Sequence, residues 1–333
     1  MAIISKLLIA LSGVTLFLFG LKLISENMEK LAGNGMKKLL RTCTRNDFFG
    51  VLTGAISTSV LQSSVATNVI TVGFVSSEIL TFRSAMPIIM GANIGTTITA
   101  QLVSLSGTSL NVTAIGALVM FIGFIFTFLK SEKFNYVGLT MVGFGMLFTG
   151  LDILSLSVAY FKNFAWFRGV FLVENHLLLL LNGLLITAIV QSSSAVTSII
   201  IVLASNGLIG FENAMFLILG SNIGTCFSVV IASLSKSIEA QKTAIFNLLF
   251  NVVGAVILFL PLSLFSGQTA RLFGAFSGGI ERQIANFHTL FNVVVTLALT
   301  PFLKSFVKVI NAIVSKNGKL LHFKRRKKLK TAI

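Results

Sequence analysis

The sequence predicts an all-α integral membrane protein built from two inverted-topology repeats, each with a re-entrant helical hairpin and an unwound transmembrane helix. Three observations lead there. Apolar runs are long enough to cross a bilayer, the chain matches itself at a constant offset, and two short polar motifs interrupt the apolar stretches of both halves.

The solvent comes first. Hydrophobic residues make up 55% of the chain and charged residues 11%, where a soluble domain carries about 25% charged residues. Apolar runs occupy residues 7–24, 85–105, 112–129, 135–155, 213–233, 243–262 and 284–303. A helix of about 20 residues crosses a hydrocarbon core roughly 30 Å thick. One such run could be a buried helix; seven imply a membrane protein, and no polar segment is long enough for a soluble domain. Lys6 ahead of the first run resembles the start of a signal peptide, but no small-x-small cleavage site follows, so the run is kept as a span.

The net charge is +16. Lys30, Lys37, Lys38, Arg41 and Arg45 lie between the first two runs, and Lys324, Arg325, Arg326, Lys327, Lys328 and Lys330 crowd the end. In a membrane chain such clusters set topology and meet anionic headgroups, so nucleic acid is not an expected partner. Both clusters are placed in the cytoplasm, which puts the amino terminus outside a plasma membrane and makes the number of full crossings odd. Lys130, Lys133, Lys236 and Lys242 then fall inside and the uncharged 106–111 loop outside. Lys162, Arg168, Arg271 and Arg282 fall outside, against the trend. Cys43 sits in a basic loop and Cys226 in an apolar run, so neither a disulfide nor a metal site is expected.

Gln62-Ser63-Ser64-Val65-Ala66 aligns with Gln191-Ser192-Ser193-Ser194-Ala195, and Gly91-Ala92-Asn93-Ile94-Gly95-Thr96-Thr97 with Gly220-Ser221-Asn222-Ile223-Gly224-Thr225-Cys226, both at an offset of 129 residues. Gly54 and Thr58 match Gly183 and Thr187 at that offset, and Phe17-x-x-Gly20-Leu21 resembles Leu147-x-x-Gly150-Leu151. Duplication of this extent is sought before any other feature. It divides the chain into a first transmembrane repeat (1–130), a second (131–262), an additional loop and transmembrane helix (263–305) and a basic cytoplasmic tail (306–333). The Gln-Ser-Ser segments, near 50–78 and 176–208, are too short and polar for ordinary crossings. Each reads as a hairpin that enters and returns on one side, the first from the cytoplasm and the second from outside. Broken backbone at membrane depth survives only where protein or a wet cavity surrounds it. Paired broken helices in inverted repeats mark a site at the midplane of secondary transporters.

At each hairpin tip a half-helix begins. Its first N–H groups are unpaired and its dipole is positive there, so it holds an anion, and serine hydroxyls add donors. The Asn-Ile-Gly-Thr segments carry glycines four apart, expected to open the helix and expose carbonyls beside Asn and Thr oxygens. Oxygen ligands without a carboxylate suit a small monovalent cation, since tight divalent sites recruit carboxylates. The plainer alternatives are that the serines pack helices and that the glycines allow close approach.

These motifs resemble those of the type II sodium–phosphate cotransporter family in its bacterial form. Gly13-Val-Thr-Leu-Phe-Leu-Phe-Gly20-Leu-Lys22 and Ala285-Asn-Phe-His288-Thr-Leu-Phe-Asn292 resemble further family segments. The resemblance implies symport of sodium and inorganic phosphate by alternating access, with no enzymatic activity and no cofactor beyond sodium as the coupling ion. Carried over by position, Gln62, Ser63, Ser64, Gln191, Ser192, Ser193 and Ser194 would hold phosphate. Asn93, Thr96, Asn222, Thr225, Thr67 and Thr197 would hold sodium. Val65 in place of a third serine and Cys226 in place of Thr97 depart from the pattern. Many bacterial members carry a PhoU-like domain after the membrane part, and a short basic tail is expected here instead. Association into a homodimer is left open.

Among other residues, His288 reads as packed or as part of an ion path, Asn247, Asn251 and Asn292 as bridges between helices, and Asp152 as an ionisable residue at a span edge. Rival readings are another oxyanion such as sulfate or arsenate, proton coupling, a serine enzyme using His176 as base, and a membrane sensor that binds phosphate without moving it.

Overall fold

The computed structural model describes residues 2–42, 46–107, 111–158, 160 and 164–317. Cys43, Arg45, Lys162 and the basic tail from Lys324 to Lys330 lie outside the described residues. Every regular element among those described is helical. The first half contains α1 (Ala2–Thr42), α2 (Asp47–Leu61), α3 (Ser64–Ser76), α4 (Phe82–Val103) and α5 (Val112–Phe126). The second contains α6 (Glu132–Val158), α7 (Ala165–Phe171), α8 (His176–Val190), α9 (Ser193–Ser205), α10 (Phe211–Ser233) and α11 (Ile238–Leu264). Then follow α12 (Ser266–Phe276), α13 (Ile280–Leu299) and α14 (Leu303–Asn317).

All seven apolar runs fall in helices, and six segments are long and apolar enough to cross a bilayer. The chain is a multi-pass membrane protein. The run at 112–129 forms only the 15-residue α5, about 22 Å at 1.5 Å per residue, short of the hydrocarbon thickness. Helices α7 and α8 are bent by 105° at their junction. The segment from 306, expected as tail, begins within α14: Leu303, Phe306, Ile310 and Val314 recur at helical spacing and are buried.

The hairpins are real. Thr58 and Thr67, nine residues apart, bring their Oγ1 atoms to 2.9 Å, whereas nine residues of continuous helix rise about 13 Å. Helix α2 therefore turns back into α3 across Gln62 and Ser63. Helix α4 then runs parallel to α2, with Gly50 against Pro87, Gly54 against Ile88 and Gly95 against Ala55 and Thr58. The second half repeats this, with Gly183 against Leu217 and Gly224 against Leu184 and Thr187.

The Asn-Ile-Gly-Thr segments are not unwound. Helix α4 runs unbroken through Gly91–Thr97 and α10 through Gly220–Cys226. The glycines serve close approach instead. A Cβ at Gly91 would collide with the Val51 carbonyl, and one at Gly220 with the Leu180 carbonyl. Backbones this close gain dispersion contacts, which hold membrane helices together in place of the hydrophobic effect.

Helices α1 and α6, equivalent by the repeat, pack antiparallel. Gly13 lies against Gly150, and Gly20 against Gly143. The repeat equates Gly20 with Gly150, and the seven-residue spacing then equates Gly13 with Gly143. The seam is therefore self-complementary in the manner of a two-fold interface.

Candidate functional site

Both helix breaks share one backbone solution. Gln62 (φ 52, ψ 25) and Gln191 (φ 61, ψ 21) end α2 and α8 in the left-handed region. Ser63 (φ −150, ψ 107) and Ser192 (φ −146, ψ 108) are extended and start α3 and α9. Ser63 Oγ accepts from Ala66 N at 3.1 Å, and Ser192 Oγ from Ala195 N at 3.2 Å. Serine caps a helix well because its oxygen satisfies one orphan N–H, and each hydroxyl keeps its own hydrogen to donate elsewhere. The N–H groups of Ser64 and Val65, and of Ser193 and Ser194, precede the first possible intrahelical bonds. Each tip is thus a positive helix end with a cluster of donors.

The two tips converge on one turn of α4. Thr99 Oγ1 donates to Gln62 Oε1 at 2.9 Å, tying the first tip. Three residues earlier, the Thr96 carbonyl is 3.5 Å from Ser194 Oγ at the start of α9. Three residues of helix rise about 4.5 Å. The Gln-Ser-Ser breaks of the two halves therefore meet beside the first Asn-Ile-Gly-Thr segment. Val65 stands at the position equivalent to Ser194 and has no hydroxyl for a reciprocal bond.

The expected anion residues have distinct surroundings. Ser64, Ser193 and Ser194 are buried, and Ser63 and Ser192 are half-buried. The amide of Gln62 is engaged, its Nε2 donating to the Ser59 carbonyl and its Oε1 accepting from Thr99, so it steadies the tip instead of facing a ligand. Gln191 is exposed.

The expected cation ligands divide in the same way. Asn93 Nδ2 donates to the Ile89 carbonyl and Asn222 Nδ2 to the Ile218 carbonyl, both at 2.9 Å, which leaves each Oδ1 as an acceptor. Thr96 and Thr225 donate Oγ1 to the helix carbonyls of Ala92 and Ser221 but keep lone pairs. Thr67 is less available, since its Oγ1 accepts from Thr58 and donates to the Ser63 carbonyl. Thr197 Oγ1 is buried with no partner among the described residues.

The repeat offset pairs Thr197 with Asn68, whose buried Oδ1 is likewise unpartnered; applying the offset past the serine motif would have found it. Ser57, Thr187 and Ser221 hydroxyls, Thr296 Oγ1 and both ring nitrogens of His288 share this state. An unpaired buried polar group costs about 1–3 kcal/mol. Such groups occur on α2, α3, α8, α9, α10 and α13, and Asn27 Oδ1, Ser228 Oγ and Asn311 Oδ1 share their state. Carboxylates are absent from both motifs, so the available cation ligands are neutral oxygens.

Among the other residues singled out, Asn251 bonds Asn247 within α11, and the Asn247 carbonyl lies 3.5 Å from Cys226 Sγ of α10. Asp152 is exposed on α6. Asn292 donates to the His288 carbonyl within α13.

The sequence profile of the Na+/Pi-cotransporter family matches residues 16–156 and 170–281. The chain belongs to the Na+/Pi-cotransporter family. Relatives include the uncharacterized protein YqeW of Bacillus subtilis (strain 168), 30% identical over 306 residues, which are 90% of this chain and 96% of that protein. The putative inorganic phosphate export protein YjbB of Escherichia coli (strain K12) is 26% identical over 312 residues, 92% of this chain but 56% of that protein. The sodium-dependent phosphate transport protein 2B of Homo sapiens is 36% identical over 104 residues, 31% of this chain and 15% of that protein. No solved structure matches. Membership of the Na+/Pi-cotransporter family supports phosphate transport.

Proposed function

We propose that this chain is a secondary transporter coupling sodium to inorganic phosphate in symport by alternating access. The observation that carries the reading is the meeting of both hairpin tips on one turn of α4, at Thr96 and Thr99. Two positive helix ends and the hydroxyls of Ser63, Ser64, Ser192, Ser193 and Ser194 bind the oxyanion, joined by the Gln191 amide. Oxygens of Asn93, Thr96, Asn222, Thr225 and Thr197, with Asn68, bind sodium. In a low-dielectric pocket each ion offsets the charge of the other, so neither binds well alone. That interdependence is the physical basis of coupling. A site without buried Arg or Lys also releases its anion readily.

Inversion of the repeats is supported by the antiparallel, self-complementary packing of α1 on α6. A two-fold axis perpendicular to two membrane-crossing helices lies in the membrane plane, and it exchanges the two sides of the site. By charge, the amino terminus is outside and the carboxyl terminus cytoplasmic. A serine enzyme is disfavoured, because the His176 ring stacks on Phe216 and its Nδ1 pairs with Ser263 Oγ at 2.8 Å.

The name of the Escherichia coli relative favours a second reading for direction, outward flow through the same site. Proteoliposomes decide among these. Labelled phosphate flux is measured in both directions under sodium, potassium and pH gradients, with sulfate and arsenate as competitors. Sodium-driven phosphate flux that collapses in Ser193→Ala, with the protein still folded, is the expected result. Equal flux in sodium and potassium overturns sodium coupling, and no phosphate flux in either direction overturns the cargo.

A further inference from the structure

One matched pair of side chains is bonded in the first half and parted in the second. The repeat offset pairs Gln62 with Gln191 and Thr99 with Ser228. In the first half Thr99 donates to Gln62 at 2.9 Å and latches the tip to α4. In the second half Gln191 is exposed, and Ser228 Oγ is buried with no partner among the described residues. The backbone is not the cause. A Cβ on Gly95 would stand 2.8 Å from Thr58 Cβ and 3.1 Å from Ser59 N. On the equivalent Gly224 it would stand 2.7 Å from Thr187 Cβ and 3.0 Å from Ala188 N. Helix α10 is thus seated on α8 as α4 is on α2, and Ser228 lies one turn past Gly224 as Thr99 lies one turn past Gly95. Gln191 and Gln62 also share their backbone conformation. By this equivalence Gln191 is placed as Gln62 is, with a side-chain rotation to bring it to Ser228.

Other ties of the second tip are missing too. Thr58 bonds Thr67, but the offset puts Val196 opposite Thr187, whose Oγ1 is unpartnered. Val60 packs against the cluster around Met36 and Leu40, whereas its equivalent Ile189 is 82% exposed.

We propose that Gln191 and Ser228 form a switchable latch: bonded, they clamp the tip of the second hairpin onto α10; parted, as here, they free that tip to move at the mouth of the site, while α9 behind it stays packed in the core. The first hairpin, with Gln62 on Thr99 and Thr58 on Thr67, is the fixed wall. Gln191 alternates between Ser228 and the bound anion, which links release of the latch to occupancy. Thr99 and Ser228 are positioning residues in this scheme. The inference rests on the transport reading given above, but its first test does not depend on the cargo.

A glutamine side chain reaches further than a disulfide spans, so a short bis-thiosulfonate crosslinker is the probe. It is applied to Gln191→Cys/Ser228→Cys with both native cysteines replaced by serine. Crosslinking whose rate changes when sodium and phosphate are added together is expected, read as the crosslinked fraction because Gln191 is itself placed at the anion. A Gln62→Cys/Thr99→Cys pair should link at a rate indifferent to the ions. Failure of the 191–228 pair to link in any condition, or linking at a rate indifferent to the ions, overturns the latch. In otherwise native protein, Ser228→Ala should change the apparent phosphate affinity roughly three- to tenfold, the effect of one neutral hydrogen bond on a two-state equilibrium. Ser228→Thr, which copies the first half, should restore it. Equal kinetics in all three proteins overturns the proposal, whereas absence of phosphate flux in the wild type overturns only the cargo reading.

Discussion

Ser192 has two separable tasks, and two substitutions tell them apart. Its Oγ accepts from Ala195 N at 3.2 Å, which caps α9, and its hydroxyl hydrogen is left for a ligand. Replacing a capping serine by alanine costs about 1 kcal/mol, while glycine costs only a few tenths. A hydrogen bond to a charged group is worth about 1.5–3 kcal/mol. At about 1.4 kcal/mol per factor of ten, capping alone predicts roughly a fivefold loss of phosphate affinity for Ser192→Ala and almost none for Ser192→Gly. If the hydroxyl binds the anion, Ser192→Gly itself loses roughly 10- to 100-fold, and Ser192→Ala loses more. The extended backbone of Ser192 (φ −146) suits all three residues. The assay is the initial rate of labelled phosphate uptake against phosphate concentration, with thermal melting in detergent as the control for folding. A glycine variant within twofold of wild type would refute direct contact between Ser192 and the anion.

Gly220→Ala should lower the melting temperature, since its Cβ has no room beside the Leu180 carbonyl and overpacking costs about 1–3 kcal/mol; an unchanged melting curve would show that α8 and α10 can separate freely. Thr58→Val should destabilise by about 1 kcal/mol through loss of the Thr67 bond, whereas Thr187→Val should be neutral or stabilising because that hydroxyl has no partner to lose; equal melting of the two variants would contradict the asymmetry of the hairpins. His288→Leu should melt no lower than wild type, because it removes two unpartnered ring nitrogens from a buried position; a drop in transport by the folded variant would put the imidazole in the ion path. Asp47→Asn should lower the melting temperature slightly, by no more than about 1 kcal/mol of stability, and less in high salt, since the bidentate Arg83–Asp47 pair at 2.7 and 2.8 Å is partly exposed at both ends.

The amino-acid sequence alone determined the solvent, the duplication and the places where the helices break. Those are local properties: apolar run length follows from bilayer thickness, and Gln-Ser-Ser fails as a helix interior because serine prefers a cap. The constant offset was legible because both halves keep the same residues at the same close contacts. Tertiary structure decided what the glycines do. In sequence, Gly91 and Gly95 look like a weakened helix, but packed against α2 they let two continuous helices touch, together with Gly50 and Gly54 on the other side of the contact. It also decided that Gln62 is spent on Thr99 while Gln191 is free, and that the oxygens of Asn68 and Thr197 are left without a partner. Which of several chemically equivalent oxygens stays unpaired depends on neighbours dozens of residues away in the chain, and no local pattern encodes that.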